Sequence, residues 1–136
     1  MKKTICIICL MLSMLLSGCR GQDPAQSVSR VVTDITVTCS NGPVTFQRHY
    51  TSSEKMRAIL NYLRWIDPYG IPKEDPEQIE GSLFHIVMRF SDGSEKVYLQ
   101  KADRYMQIDG ANWMAIDPQK ALTLSQMVGE MKSDAA

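Results

Sequence analysis

The sequence predicts an α+β fold with two layers, in which an antiparallel sheet of about six strands carries two helices on one face. Three hairpin signals and two apolar stripes at the helical period support this fold and give the element order ββαββββα. Strands and helices do not alternate as they do in parallel sheets. The 136 residues suffice for one domain, for which we predict the bounds 32–133.

The first predicted hairpin spans residues 33–50. Its first strand alternates apolar and polar residues, and Asn41-Gly42 is a strong signal for a two-residue turn. The predicted cross-strand pairs are Cys39–Val44, Val37–Phe46 and Ile35–Arg48. Pro43 has no backbone N–H, so a wider turn is the alternative.

A helix is predicted after this hairpin. Thr51 and Glu54 fit a capping box, with Ser52 and Ser53 as alternative N-caps. Its apolar stripe consists of Met56, Ile59, Leu60, Leu63 and Ile66. Trp65 falls nearly opposite that stripe, so we expect it to contact a partner or to lie under the next loop.

That loop, residues 67–81, contains three prolines and five acidic residues. Long loops in compact domains are often functional or mobile. A calcium site is one interpretation, although the acidic residues do not follow the EF-hand spacing. The other is a solvated loop with Ile71 or Ile79 packed over Trp65.

A second hairpin is predicted around Asp92-Gly93, with strands at 83–90 and 95–100. A two-residue turn there predicts the pairs Met88–Val97 and Ile86–Leu99, and it sets Arg89 opposite Lys96 as a like-charge pair.

The third hairpin joins Tyr105–Ile108 to Trp113–Ile116, and the pattern leaves open which of its faces is buried. Asp117 then caps a last helix with Pro118 at its first position. The apolar stripe of this helix consists of Ala121, Leu124, Met127, Val128 and Met131.

The amino terminus has a basic start at Lys2 and Lys3, an apolar run over residues 5–16, and small residues immediately before Cys19. This arrangement resembles the lipobox of bacterial lipoproteins. The resemblance covers residues 1–19 only. It implies a signal peptide at 1–18, a lipidated Cys19 and, with the polar run that follows, a flexible tether over 19–31. It also implies an extracytoplasmic location, on the outer face of the cell membrane or at the outer membrane of a Gram-negative host.

The charge and the cysteine content of the chain argue against two further kinds of function. The chain has 15 basic and 15 acidic residues; removing Lys2 and Lys3 with the signal leaves 13 − 15 = −2. A near-neutral domain without a basic stripe does not favour nucleic acid as a partner. After processing and lipidation Cys39 is the one remaining thiol, and its strand position predicts a buried apolar role rather than a reactive one.

Catalytic motifs are sparse. His49 and His85 are expected on the sheet face opposite Cys39, which separates both from that thiol. They could approach each other, but two imidazoles alone make an incomplete metal site. We therefore predict no cofactor and no metal, and no small-molecule substrate is evident.

The remaining candidates are surface residues. We predict that an uncovered sheet face and the helix–loop junction form an interaction surface, whose residues are His49, Tyr62, Trp65, Tyr69, His85, Arg89 and Tyr98. The expected function is a non-catalytic domain that is anchored to the membrane and binds a protein or envelope component. The alternatives are an inhibitor or immunity-type protein acting on an envelope or extracellular enzyme and, last, a carboxylate-based hydrolase.

Overall fold

The computed structural model describes residues 30–134. The predicted signal peptide, Cys19 and the tether up to residue 29 lie outside the described residues. Six strands and two helices follow one another in the order ββαββββα, as the sequence predicts. The elements are β1 (Val32–Asn41), β2 (Val44–Tyr50), α1 (Ser53–Trp65), β3 (Leu83–Phe90), β4 (Glu95–Lys101), β5 (Tyr105–Ile108), β6 (Met114–Ala115) and α2 (Pro118–Glu130).

All strands join one antiparallel sheet in the order β2-β1-β3-β4-β5-β6. The first strand is therefore central, and it pairs with both β2 and β3. Both helices bury apolar residues with the inward residues of one sheet face. This core includes Ile35 and Val37 of β1, Ile86 of β3, Ile59 of α1 and Leu124 of α2. The two-layer α+β architecture is thus confirmed.

The first hairpin differs from its prediction by two residues. Asn41 pairs with Val44, so Gly42 and Pro43 form the loop, and Cys39 faces Phe46. Gly42 has φ 58°, and proline accepts the negative φ of the second loop position, as in type II′ hairpins. A shift of two residues keeps every side chain on its predicted face.

The second hairpin differs by one residue, and this has a larger effect. The amide N–H of Gly93 donates to the carbonyl of Phe90 at 2.9 Å, and Gly93 has φ 84°. These are the features of a three-residue loop closed by a glycine bulge. Met88 therefore pairs with Lys96, and Ile86 pairs with Tyr98.

A one-residue shift exchanges the two faces of β4. Tyr98 and Gln100 enter the core, while Val97 and Leu99 lie on the face without helices. The predicted contact of Arg89 with Lys96 is also wrong. Arg89 lies opposite Glu95, and its Nε atom is 3.0 Å from the Glu95 carboxylate.

The third hairpin has its first strand as predicted, and its second is shortened to Met114–Ala115. Met106 is buried in the core opposite Gln100. Tyr105, on the opposite face, is buried as well, and its hydroxyl donates to the Glu74 carboxylate at 3.0 Å. Both faces of this hairpin carry large apolar residues because the core covers one face and the 67–81 loop lies against the other.

The helix ends combine one confirmed cap and one corrected cap. The Asp117 side chain accepts hydrogen bonds from the backbone N–H groups of Gln119 and Lys120, as predicted. The N-cap of α1 is Ser52, one of the two predicted alternatives, although its side chain makes no capping hydrogen bond. The Thr51–Glu54 capping box is wrong. Instead, the Asp134 carboxylate accepts hydrogen bonds from the N–H groups of Thr51 and Ser52 at 2.7 and 2.8 Å.

Within residues 30–134, no helix is long and apolar enough to cross a membrane.

Candidate interaction surfaces

The sheet has two ends that differ in what they carry. The proximal end is where the described chain begins, with Val32 paired to Phe90 beside the β3–β4 turn. The distal end is the opposite one, where Asn41 pairs with Val44 and Leu83 pairs with Lys101. Arg30, the first described residue, lies at the proximal end, where it donates a hydrogen bond to the Ser94 hydroxyl at 3.2 Å.

Large exposed apolar side chains concentrate at the distal end. Ile71 is 89% exposed, Tyr69 58% and Trp65 49%. Leu122, in the first half of α2, is half exposed as well. We call Trp65, Tyr69 and Ile71, which follow one another closely in sequence, the distal patch. Clustered exposed apolar side chains on a soluble domain mark interaction sites more often than isolated ones do.

The strand-like segment at Tyr69 fixes one part of the distal patch. The N–H and C=O of Tyr69 exchange hydrogen bonds with Ala115 at 2.8 and 3.0 Å, which extends the sheet edge by one residue. A groove of about 310 Å³ lies beside it, lined on its apolar side by Tyr69, Ile71 and Pro118. Lys73 and Arg104 line the same groove, and Arg104 is paired there with Glu74 at 3.1 Å.

Trp65 joins the two helices at the same end. The ammonium group of Lys120 lies 5.0 Å from the centre of the indole ring, a distance at which cation–π attraction holds the pair together. A second groove of about 280 Å³ runs between α1 and α2, with Trp65, Tyr62 and Met127 among its lining residues. Of the two residues expected to pack over Trp65, Ile71 does not, because it is 89% exposed.

The acidic loop is held against the sheet edge. Glu74 accepts hydrogen bonds from Arg104 and Tyr105 at 3.1 and 3.0 Å, and Asp75 accepts one from the N–H of Glu77 at 3.0 Å. These acids thus have partners within the protein. Over residues 30–134 no group of three or more His, Cys, Asp or Glu residues is arranged to hold a metal ion.

The uncovered sheet face contains His49, His85 and Arg89, as predicted. His49 Nδ1 is 3.0 Å from the Thr36 hydroxyl and 3.9 Å from Asp34. Arg89 binds both Asp34 and Glu95 at 3.0 Å, and these carboxylates raise its pKa. His85 lies on β3, with β1 between it and the strand of His49.

An apolar strip on this face follows from the three-residue turn. Val87 pairs with Val97, and Leu99 lies opposite His85. The two-residue turn predicted from the sequence places Val97 and Leu99 in the core instead, and that prediction is wrong. The signal that could have revealed the strip is Gly93, which suits a glycine bulge as well as a two-residue turn.

Two of the predicted surface residues are buried. Tyr98 is on the core face because of the shift in β4. Tyr62 is buried as well, and its hydroxyl bonds to Gln100. Tyr62 lies three residues after Ile59 and four before Ile66, which puts it on the buried side of α1.

The thiol of Cys39 is on the core face, where burial raises its pKa and the Asp103 charge raises it further. Both histidines lie on the opposite side of the sheet. This geometry keeps the thiol protonated at neutral pH and away from any imidazole base within the described part of the chain.

No family model, no curated protein and no solved structure matches this chain. Its function is therefore inferred from the geometry of its surface.

Proposed function

We propose that this protein is a lipid-anchored extracytoplasmic domain that binds a partner protein through the distal patch. The observation that carries the proposal is the concentration of exposed aromatic and aliphatic side chains at the end of the sheet opposite Arg30. The resemblance of residues 1–19 to a lipobox supplies the proposed anchor.

The composition of the distal patch suits a protein partner. Tryptophan and tyrosine are enriched at protein interfaces and often dominate their binding energy. Trp65 and Tyr69 combine large apolar surfaces with polar atoms, and Lys73 supplies a positive charge beside Tyr69. Apolar centres with polar margins are the usual anatomy of such interfaces.

The orientation of the domain supports the same proposal. A tether over residues 20–29 spans at most about 35 Å when fully extended. With Cys19 in the membrane, such a tether would attach to the proximal end. The distal patch would then face away from the lipid surface, where a soluble or envelope partner can reach it.

A second candidate, an inhibitor of an extracytoplasmic enzyme, is favoured by the shape of the acidic loop. The backbone bonds of Tyr69 and the Glu74 contacts fix the loop on both sides of Ile71. Ile71 projects almost fully into solvent between them. A side chain presented on a preorganised loop suits insertion into a cleft, because little conformational entropy is lost on binding.

Site-specific photocrosslinking in the native host tests the binding proposal. A photoreactive phenylalanine analogue placed at position 71 should give a discrete crosslinked protein, and Trp65→Ser should remove that product. The matched control is the same analogue at Val31, which is exposed at the proximal end. Equal products at both positions, or none at position 71, would contradict the proposal. Loss of catalytic activity in the captured protein on binding would identify an inhibitor.

Membrane fractionation tests the anchor separately. Cys19→Ala should move the protein to the soluble or unprocessed fraction, because two or three acyl chains provide stable anchoring. Its domain should unfold at the same denaturant concentration as the wild type. Unchanged membrane partitioning would contradict the lipid anchor.

A further inference from the structure

The outer edge of the sheet at β2 is only partly covered. The segment after α2 runs along it near Tyr50. There the N–H of His49 donates to the Ser133 hydroxyl at 2.9 Å, and the N–H of Asp134 donates to the His49 carbonyl at 2.9 Å. The backbone polar groups of His49 therefore point outward, away from β1.

Alternation along the strand extends this conclusion to the rest of β2. In an antiparallel edge strand every second residue directs its N–H and C=O away from its neighbour, so Thr45 and Gln47 also point outward. Among residues 30–134, neither of them bonds its backbone to anything on that side. We call Val44–Gln47 the free edge. It offers two N–H groups and two carbonyls to an incoming strand.

The free edge lacks two of the features that usually block strand addition. Natural edges are protected by proline or lysine on the edge, by bulges, by inward-pointing charges or by a covering segment. Between Val44 and Gln47 there is no proline or lysine, and the pairing of β2 with β1 continues without a register shift. Within the described part of the chain, the outward backbone groups of Thr45 and Gln47 therefore stay open to pairing.

The one charged side chain beside the free edge is Arg48. It lies on the helix-bearing face, with its guanidinium carbon 4.9 Å from the centre of the Phe46 ring. Its Nε atom is buried and has no hydrogen-bond partner in the described residues. None of the salt bridges formed there includes Arg48. The unpaired charge of the guanidinium group, rather than the buried Nε atom itself, is what a carboxylate of a partner would meet.

We infer that the free edge accepts an extended segment of a partner protein as an added antiparallel strand, with an acidic side chain of that segment beside Arg48. The added strand would use the same mode as other cases of β-augmentation, in which backbone bonds give affinity and alternate side chains give selectivity. This site goes beyond the distal patch, because five strand spacings of about 4.8 Å separate β2 from β6.

A second copy of this chain fits the free edge poorly. Its own free edge contains no acid, and antiparallel pairing would bring a second unpaired Arg48 towards the first. Such pairing would also turn the proximal ends of the two copies in opposite directions, although both tethers are proposed to start from one membrane. An acidic segment of a different protein meets neither difficulty.

Amide hydrogen exchange by NMR on the full-length protein in detergent micelles tests the inference. The probe is the five-residue peptide Glu-Val-Thr-Val-Thr with both ends blocked, whose Glu lies opposite Arg48 when the other four residues pair with Val44–Gln47. The matched peptide has Lys in place of Glu. Saturating Glu peptide should slow exchange at Thr45 and Gln47 at least tenfold. The Lys peptide should bind at least tenfold more weakly, and Arg48→Met should remove that preference.

Two variants distinguish binding at the free edge from binding elsewhere on the domain. Gln47→Pro removes an outward N–H, a position where an edge strand tolerates proline, and it should abolish binding of the Glu peptide while the domain stays folded. Trp65→Ser should leave peptide binding unchanged, which makes the result independent of the distal patch.

Three outcomes would overturn the inference. Equal binding of the Glu and Lys peptides would remove the role of Arg48. Slow exchange at Thr45 and Gln47 without peptide would mean that residues 1–29 of the same chain occupy the edge. Slow exchange that appears only as the protein concentration rises would mean that a second copy occupies it.

Discussion

The hydroxyl of Tyr62 donates a hydrogen bond to Oε1 of Gln100, which joins α1 to β4 inside the core. Gln100 is fully buried, and its amide Nε2 donates to the Ala121 carbonyl of α2 at 3.2 Å and to Asp103 at 3.3 Å. One glutamine side chain therefore connects both helices to the sheet. Buried polar groups satisfied in this way favour one arrangement of the packed layers.

Removal of the Tyr62 hydroxyl should destabilise the domain. Tyr62→Phe leaves Gln100 Oε1 without its donor in the core, and an unsatisfied buried acceptor costs about 1–3 kcal/mol. The free energy of unfolding in urea, followed by tryptophan fluorescence, measures the loss. Tyr69→Phe is the matched control, because Tyr69 is exposed, and it should change stability by less than about 0.5 kcal/mol. Equal effects of the two variants would contradict the role of the buried bond.

Alkaline pH should destabilise the protein through its buried tyrosines. Burial raises the pKa of Tyr62 strongly, and it also raises the pKa of Tyr50. An unfolded tyrosine ionises near pH 10, so the unfolded state loses protons first. The contribution of these tyrosines to the free energy of unfolding is therefore complete below about pH 10. It decreases as the pH rises towards their pKa in the folded state.

Urea midpoints at several pH values between 8 and 11 measure this dependence. Tyr62→Phe should show a smaller decrease over that range than the wild type, because it removes the tyrosine with the largest shift. A decrease of equal size in both proteins would assign the effect to other groups.

The fold was predictable from sequence where the determinants are local. Turn residues located all three hairpins, and Asp117-Pro118 located the start of α2. The β3–β4 register was not predictable, because Gly93 fits loops of two and of three residues, and the choice depends on the whole core. The pairing of β1 with β3 joins residues distant in sequence, and no local signal specifies it.

The candidate site was predictable only in part. Trp65 was expected to contact a partner or to lie under the next loop, and it is half exposed. Its position off the apolar stripe of α1 accounts for this exposure. Tyr69, in the loop after α1, is exposed as well. Ile71 lies in an irregular loop without periodicity, so its exposure could not be predicted. Tyr62 was misassigned although its spacing from Ile59 and Ile66 places it on the buried side of α1. Only the partner of its hydroxyl, Gln100, lies far away, at 38 residues in sequence.

Acid should weaken the contact between Asp134, in the segment after α2, and the start of α1. Lys55, followed by the backbone N–H groups of Ser52 and Thr51, holds the pKa of Asp134 well below its usual range. A free aspartate titrates near pH 4, so the contribution of Asp134 is present above that pH and is lost as the pH falls. Urea midpoints between pH 2 and 7 should fall less steeply in Asp134→Asn than in the wild type. Glu130→Gln, at an exposed position of α2, should keep the wild-type slope. An unchanged slope in Asp134→Asn would contradict the assignment.

Two glycines should respond in opposite directions to the same substitution. Gly93 closes the β3–β4 turn with φ 84°, a conformation that costs an alanine about 1 kcal/mol or more. Gly129 lies in α2, where an added Cβ would meet no atom within 4 Å. There alanine should stabilise the domain by about 0.5–1 kcal/mol, since glycine loses more backbone entropy in a helix. Urea unfolding of Gly93→Ala and Gly129→Ala measures both effects.

The Gly93 variant also tests the register of β4, because a three-residue loop fixes that register. Destabilisation by Gly93→Ala should come with increased exposure of Tyr98 to solvent. If Gly93→Ala left the stability unchanged, another feature would set the register.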